Sequence, residues 1–521
     1  MQVSEKEQGK FCVMTKVWEG TGEKECSEKY DLPDYLPDVN RLLRTEARLG
    51  GMSHYVNGDT LEYDGTVCYQ VLYMSPQGEI KSADFESPIS GSMTIPGYED
   101  GMNLTFRTVT NGAGCRLQGP RKLMTRTKLQ WQADVYADRC TEPTLSGRVT
   151  PEDRAAMQTK TETVEAECFE SFAVRANAIS EDIELPGSYP PIGEILTLSA
   201  VPYLHDARTT EQGITYKGDI LTTILYAAAT GEESEEAPAY YSFVRKVPID
   251  GELDAMPCES CTAFLPRAEI TSLEYRPQAA EPGESRVIEM DFTYDVTVDC
   301  YGNTAGELVS DAYFLSYESD NEVETLPLRS VARSQTYNFS VNQSEENADP
   351  DYDRALFTSA CAVTDSVAKE GGKLIFEGKA EVLVILAGES GGFVGKTYTV
   401  PFRSEAEAGR TADAFTYAVD TAVLSAGARA DKEKVVLDLE IAIRFITFNE
   451  YEHSMIVGTT VYKDRPVTPS PTSRITVYYP SAGEDLWSIA KKYHTTADGL
   501  RRENKLSGDT VTGGMLIIPK S

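Results

Sequence analysis

Histidine is almost missing from this chain of 521 residues: there are four, standing singly at positions 54, 205, 453 and 494. No HExxH, GxSxG or GxxxxGK[ST] occurs, so zincin, serine-hydrolase and P-loop chemistry have no sequence footing. Abundant carboxylates alone supply no catalytic geometry, and an enzyme is not expected. Positive charge is also scarce, with 49 Lys and Arg against 82 Asp and Glu and a formal charge of −33. That balance disfavours nucleic-acid phosphates and anionic lipid as partners and leaves proteins. No window approaches the roughly 18 consecutive apolar residues of a membrane span. Residues 1–10 are polar and lack the apolar core of a secretory signal. The expectation is therefore a chain that stays in the cytoplasm. Among ten cysteines there is one CxxC, Cys258 and Cys261. With no second pair and no histidine at ligand spacing, these read as ordinary reduced loop thiols, with no metal and no cofactor implied.

What is present is enough apolar material, 41% of residues, for most of the chain to fold, and enough length for about three or four domains. One short pattern occurs three times, ending in Gly65, Gly218 and Gly378 after Leu61 and Tyr63, Ile214 and Tyr216, and Leu374 and Phe376. Spacing turns this weak pattern into a repeat. Pro37, Pro190 and Pro350 each stand 28 residues before their glycine, and Pro88 and Pro401 stand 23 after theirs. Pro248 follows at 30, which places an insertion in the middle copy at the acidic run 231–236.

Counting in twos through each glycine gives Leu61, Tyr63, Gly65, Val67, Tyr69, Val71 and Tyr73, with matching apolar sets from Ile214 to Tyr226 and from Leu374 to Leu386. Polar residues occupy the other parity, the signature of a half-buried β-strand. The glycine on the buried side marks a bulge or a close backbone approach. A turn and a second strand follow in each copy, which is hairpin logic. Alternating stretches at 128–136, 288–298 and 435–448 close the copies. The fold class is thus mainly β, with three sandwich-like domains at 25–145, 170–315 and 335–460. Short helices are expected at 38–49 and 351–364, and a linker helix or extra element at 150–167. A proline-rich linker at 464–473 should adopt extended geometry and hold the tail away from the body.

From residue 474 the period changes. Val477 belongs to a short strand, Gly483, Glu484 and Asp485 form a turn, and Leu486, Ile489, Ala490 and Tyr493 recur along one helix face. A second helix carries Leu500, and a strand closes the module before Pro519. The order of Val477, Gly483, Leu486, Trp487, Ile489, Ala490, Tyr493, Leu500, Asn504, Leu506, Gly513 or Gly514, Leu516, Ile518 and Pro519 resembles a LysM domain, a small βααβ fold spanning 474–521. Glycan-binding LysM domains commonly carry Gly-Asp-Thr at the first turn, where this chain has Gly483, Glu484 and Asp485. The candidate partner- or glycan-binding residues are Gly483, Glu484, Asp485, Leu486, Trp487, Lys491, Lys492, Arg501, Arg502, Asn504 and Gly513. Leu486 is also a core residue, Asn504 also a satisfier of local backbone groups, and Trp487 divides evenly between packing and contact. The module carries seven Lys and Arg against five Asp and Glu from Thr472 onward, a mildly cationic tip on an anionic body.

Three β-rich repeats followed by a LysM resemble the spore morphogenetic proteins of the SipL and SpoVID type, with SPOCS-like repeats. The resemblance implies a non-enzymatic scaffold in the mother-cell cytoplasm at the forespore surface and spore coat, whose LysM binds a coat morphogenetic ATPase while the repeats engage other coat proteins. The alternative is a peptidoglycan-binding LysM protein of the wall or cortex.

Overall fold

The computed structural model describes residues 12–519 apart from 141–143, 147–149, 151–154, 231–237, 279–283, 390, 468–475, 482 and 512–513. The acidic run at 231–236 and most of the proline-rich segment lie outside the described residues.

Three six-stranded units follow one another. The first comprises β1 (Cys12–Asp31), β2 (Arg41–Asn57), β3 (Thr60–Met74), β4 (Ile80–Thr94), β5 (Asn103–Gly119) and β6 (Lys122–Cys140). After a short β7 (Thr144–Ser146) come β8 (Met157–Glu184), β9 (Ile192–Thr209), β10 (Ile214–Ala228), β11 (Tyr240–Leu253), β12 (Cys261–Pro277) and β13 (Val287–Phe314). The third unit is β14 (Tyr317–Glu346), β15 (Arg354–Glu370), β16 (Lys373–Ala387), β17 (Phe393–Glu407), β18 (Phe415–Ala430) and β19 (Lys434–Pro466). Each unit is two antiparallel sheets with the same topology. The orders are β1-β6-β5 with β2-β3-β4, then β12-β13-β8 with β11-β10-β9, then β14-β19-β18 with β15-β16-β17. The short β7 pairs in parallel with β19, tying the first unit's exit to the third.

The apolar parity read from the sequence faces inward. Val67, Tyr69, Val71 and Tyr73 line the first core, Ile220, Ile224 and Tyr226 the second, and Ala380, Val382, Val384 and Leu386 the third. The spaced prolines have two separate causes. Pro88, Pro248 and Pro401 sit opposite Thr66, Asp219 and Lys379 on β4, β11 and β17. All three are edge strands, where a missing N–H costs no ladder bond. Pro37 and Pro190 present carbonyls to the hydroxyls of Tyr73 and Tyr226 at 3.0 and 2.8 Å, which holds the entry loop against the central strand. The repeat glycines are close approaches: a Cβ on Gly218 would stand 2.3 Å from the Tyr203 carbonyl oxygen, and one on Gly378 2.2 Å from that of Val363. Register shifts fall beside both, between Lys217 and Gly218 and between Thr364 and Ser366.

Residues 38–49 and 351–364, expected as helices, instead enter β2 and β15, and 150–167 leads into β8. In β8 the order Thr161, Thr163, Glu165 and Glu167 against Glu162, Val164, Ala166 and Cys168 is a period of two. It pairs with 26 residues of β13, and that ladder outweighs the helix propensity of Glu and Ala.

The three sandwiches close on one another around a pseudo-threefold axis. Alternation fails at the end of each central strand, where Leu72 adjoins Tyr73, Leu225 adjoins Tyr226 and Ile385 adjoins Leu386. The second member of each pair enters its own core. The first points the other way, and all three are fully buried in a shared cluster with Ile80, Tyr240 and Phe393. These are equivalent positions, since Ile80, Tyr240 and Phe393 lie opposite Met74, Ala227 and Ala387, each nine residues past the repeat glycine. Opposite Leu72, Leu225 and Ile385 stand Arg44, Thr197 and Phe357. Arg44 Nη1 donates to Thr197 Oγ1 at 2.9 Å, and its guanidinium lies 5.1 Å from the Phe357 ring centre.

The other sheets meet at a second junction on the same plan. Tyr136, Tyr301 and Phe448, each fourteen residues into β6, β13 and β19, share a buried cluster. Two residues further on, Met14, Glu167 and Arg329 occupy the matching partner positions. The Arg329 guanidinium pairs with the Glu167 carboxylate and lies 4.4 Å from the Phe448 ring centre. Arg444 donates to the backbone oxygens of Leu204 and Pro266 at 2.6 and 3.2 Å, joining the third sandwich to the second.

Candidate functional site

The terminal module is a two-stranded sheet, β20 (Thr476–Tyr478) with β21 (Leu516–Ile518), and two helices, α1 (Leu486–Lys492) and α2 (Ala497–Asn504). Asp485 caps α1, its carboxylate accepting from Ser488 N at 3.3 Å. The carboxyl at that position therefore performs the capping that a threonine hydroxyl performs elsewhere. Glu484 turns back on the module, accepting from Tyr478 OH at 2.8 Å and Ser481 N at 3.0 Å. Gly483 adopts φ +87°, the left-handed region open to glycine, and donates to Val511 O at 2.9 Å. Asp485 bridges Thr510, so the first turn is laced to the loop before β21. Gly513 lies outside the described residues.

Leu486, Ile489, Ala490 and Leu500 form the module's core with Val511, Leu516 and Ile518. Asn504 is a structural clamp: its Nδ2 donates to Ile517 O and its Oδ1 accepts from Ile517 N, both at 2.7 Å. That satisfies backbone groups of β21, an outcome the sequence reading allowed.

One member of the module's core cluster belongs to the body. Tyr313, near the end of β13, is buried among Leu486, Ile489 and their neighbours, and its hydroxyl donates to Thr495 O at 2.6 Å. Trp487 stands edge-on to Tyr313 with ring centres 5.0 Å apart. The indole Nε1 donates to Asp311 Oδ2 at 2.7 Å, and Lys491 Nζ reaches Asp311 Oδ1 at 2.6 Å. His494 Nδ1 lies 2.8 Å from Phe314 O. The tail is therefore docked on the body and not held away from it. A linker constrains reach; it cannot oppose a buried tyrosine and a charge-assisted pair at the dock. Burial alone would raise the Asp311 carboxyl, but hydrogen bonds from Lys491 and Trp487 outweigh it and hold the group below the usual carboxylate value.

The structure divides the candidate residues accordingly. Trp487 and Lys491 come together on Asp311. Lys492 lies 4.6 Å from the Tyr478 ring centre. Arg501 is paired with both Asp498 and Asp509, and Arg502 is exposed, its Nε donating to Asp498 O at 3.4 Å. The cationic tip is thus largely matched within the chain. Three apolar side chains of the module are uncovered: Val477 is 43%, Tyr479 72% and Met515 56% exposed. Sequence reasoning treated Val477 and Met515 as strand residues only and missed Tyr479. Parity carried the signal, since Tyr478 packs on the module's core and Val477 and Tyr479, on either side of it, share the other parity.

Sequence reasoning also missed a second cluster. Cys258 and Cys261 are joined by Cys168, ninety residues earlier than Cys258, and the three sulfurs lie within 4.8 Å of one another. Only strand pairing brings Cys168 there.

Residues 38–112, running from the approach to β2 into β5, match the SipL, SPOCS domain family model. Residues 481–518 match the LysM domain model. Searches of curated proteins and of solved structures gave no match. Both matched families are non-catalytic binding domains. The second and third sandwiches share the first one's strand order and register, although the SPOCS match is confined to the first. The chain thus carries two matched domains, a SipL-type SPOCS domain in its first sandwich and a LysM domain after its third, and together they support a sporulation-related protein with a peptidoglycan-binding-type domain.

Proposed function

We propose that the chain is a non-enzymatic scaffold of spore coat assembly, acting in the mother-cell cytoplasm at the forespore surface, where its LysM module docks a coat morphogenetic ATPase and its sandwiches engage other coat proteins. The observation that carries this reading is the module's division between docked and exposed residues. Part of the module is clamped to the body through Asp311 and Tyr313, while Val477, Tyr479, Met515 and Arg502 stay exposed. A rigidly presented module loses less freedom on binding than a tethered one. Multivalent display on a polymer would strengthen each weak contact. Partner capture by the full chain, by a chain ending at Lys463 and by Tyr479→Ala tests the reading. Binding should vanish with the truncation and weaken at least tenfold with Tyr479→Ala, and equal capture by the truncated chain overturns it. A fluorescent fusion followed through sporulation should form a shell around the forespore.

The LysM match supports a second reading, attachment to peptidoglycan through the laced loops at Gly483 and Val511. Co-sedimentation of the full chain with purified peptidoglycan, lost on truncation at Lys463, would favour it over the first.

A further inference from the structure

The unassigned chemistry of this molecule lies at one end of the second sandwich. Cys168 on β8 pairs with Gly302 on β13, and Gly302 pairs with Cys261, the first residue of β12. The two cysteines therefore share a row with a glycine between them. A Cβ at Gly302 would stand 1.8 Å from Ser260 O and 2.8 Å from Cys261 Cα, so the chain before β12 folds down over the space a side chain would fill. A register shift between Cys261 and Ala263 adds to that bend. Cys258 closes the group: Cys261 N donates to Cys258 O at 2.9 Å, making a tight turn after Pro257 that aims both sulfurs the same way. The Sγ atoms of Cys168 and Cys258 are 2.6 Å apart, and those of Cys258 and Cys261 3.3 Å. Glu170, two residues beyond Cys168, accepts from Cys258 N at 2.7 Å and pins the turn.

We propose that Cys168, Cys258 and Cys261 bind a thiophilic tetrahedral ion, Zn2+ being the fitting one. Three thiols converge on one point from two strands and a turn. A disulfide would use two of them and strand the third, whereas a tetrahedral d10 ion uses all three. Sulfurs held at about 2.3 Å from one ion stand roughly 3.7 Å from each other, so Cys168 and Cys258 separate by about 1.1 Å and Cys258 and Cys261 by about 0.4 Å to receive it. Binding takes the thiols as thiolates and releases their protons to solvent. The fourth position falls to water or to the Glu170 carboxylate. The ion would tie the loop before β12 to the far edge strand β8, across the whole three-stranded sheet.

The test uses the full chain, purified with reductant and without chelator. Metal analysis should find one zinc per chain, and X-ray absorption at the zinc edge should show three sulfur neighbours at about 2.3 Å. Cys258→Ser and Cys168→Ser should each weaken zinc retention at least tenfold in competition with a chromogenic chelator. Cys361→Ser, an exposed thiol of the third sandwich, should leave it unchanged. The proposal is overturned by a native chain without stoichiometric zinc, by zinc that survives both substitutions, or by recovery of a peptide cross-linked from Cys168 to Cys258.

Discussion

The indole of Trp487 donates to Asp311 across 176 residues of sequence, and the same carboxylate receives Lys491. One side chain on β13 thereby fixes two of the residues that the helix pattern alone offers to an outside partner. Removing it leaves a cation and an indole N–H at the dock without their acceptor. Asp311→Ala should weaken docking by about 1.5–3 kcal/mol, roughly ten- to 150-fold. Hydrogen exchange at residues 486–495 should speed up accordingly, with the strands of the first sandwich unchanged.

Docking should also depend on pH in a definite direction. Docking depresses the Asp311 carboxyl, so the pair adds stability above the ordinary Asp value of about 3.9. That contribution is lost as pH falls through the lower, docked value. Protection from exchange at residues 486–495, taken relative to the intrinsic rate at each pH, should be level from neutrality to about pH 5 and fall below about pH 4. Asp311→Asn should remove the acid limb.

At the pseudo-threefold axis Arg44 is 5% exposed and paired with Glu46. Arg44→Ala would leave that carboxylate and the Thr197 hydroxyl without their cation, at a cost of about 3 kcal/mol. Calorimetry should show a lower unfolding temperature for the body. The double change Arg44→Met with Glu46→Gln should lose less than Arg44→Ala, because no charge is then left unpaired.

Gly218→Ala tests the close approach in the second sandwich. Its Cβ would meet Tyr203 O at 2.3 Å and Leu204 Cα at 2.8 Å, both on a backbone that cannot swing aside. A loss of about 1–3 kcal/mol in denaturant unfolding is expected. Gly119→Ala, with open space around the added carbon, should stay within about 0.5 kcal/mol.

The repeat was legible because its markers answer to local backbone requirements. An edge-strand proline, a glycine under a carbonyl and an alternating face recur wherever the same strand pairing recurs. The helices expected at 38–49 and 351–364 give way to β2 and β15, and of the linker helix or extra element expected at 150–167 the strand β8 takes up 157–167, because propensity is weak beside a ladder such as β8 on β13, whose partner lies more than a hundred residues away. The buried outer face was half visible in the doublets Leu72 with Tyr73, Leu225 with Tyr226 and Ile385 with Leu386, which break the period of two. No single-copy reading says what covers such a doublet, because the cover is another copy. Trp487 divided evenly between packing and contact in the sequence, and within the chain it does both, against Tyr313 and Asp311, neither of which carries a motif. Cys168 was hidden for the same reason: its proximity to Cys258 exists only through the register of two ladders.

The positions at the axis hold arginine, threonine and phenylalanine. Three identical subunits joined on this plan would be obliged to crowd three guanidinium groups, or three phenylalanines, into the same spot. Covalent continuity lifts that obligation, so a cation, a hydroxyl and a ring can answer one another where symmetry would demand sameness. Within residues 12–519 it also fixes a ratio, one LysM module to three sandwiches.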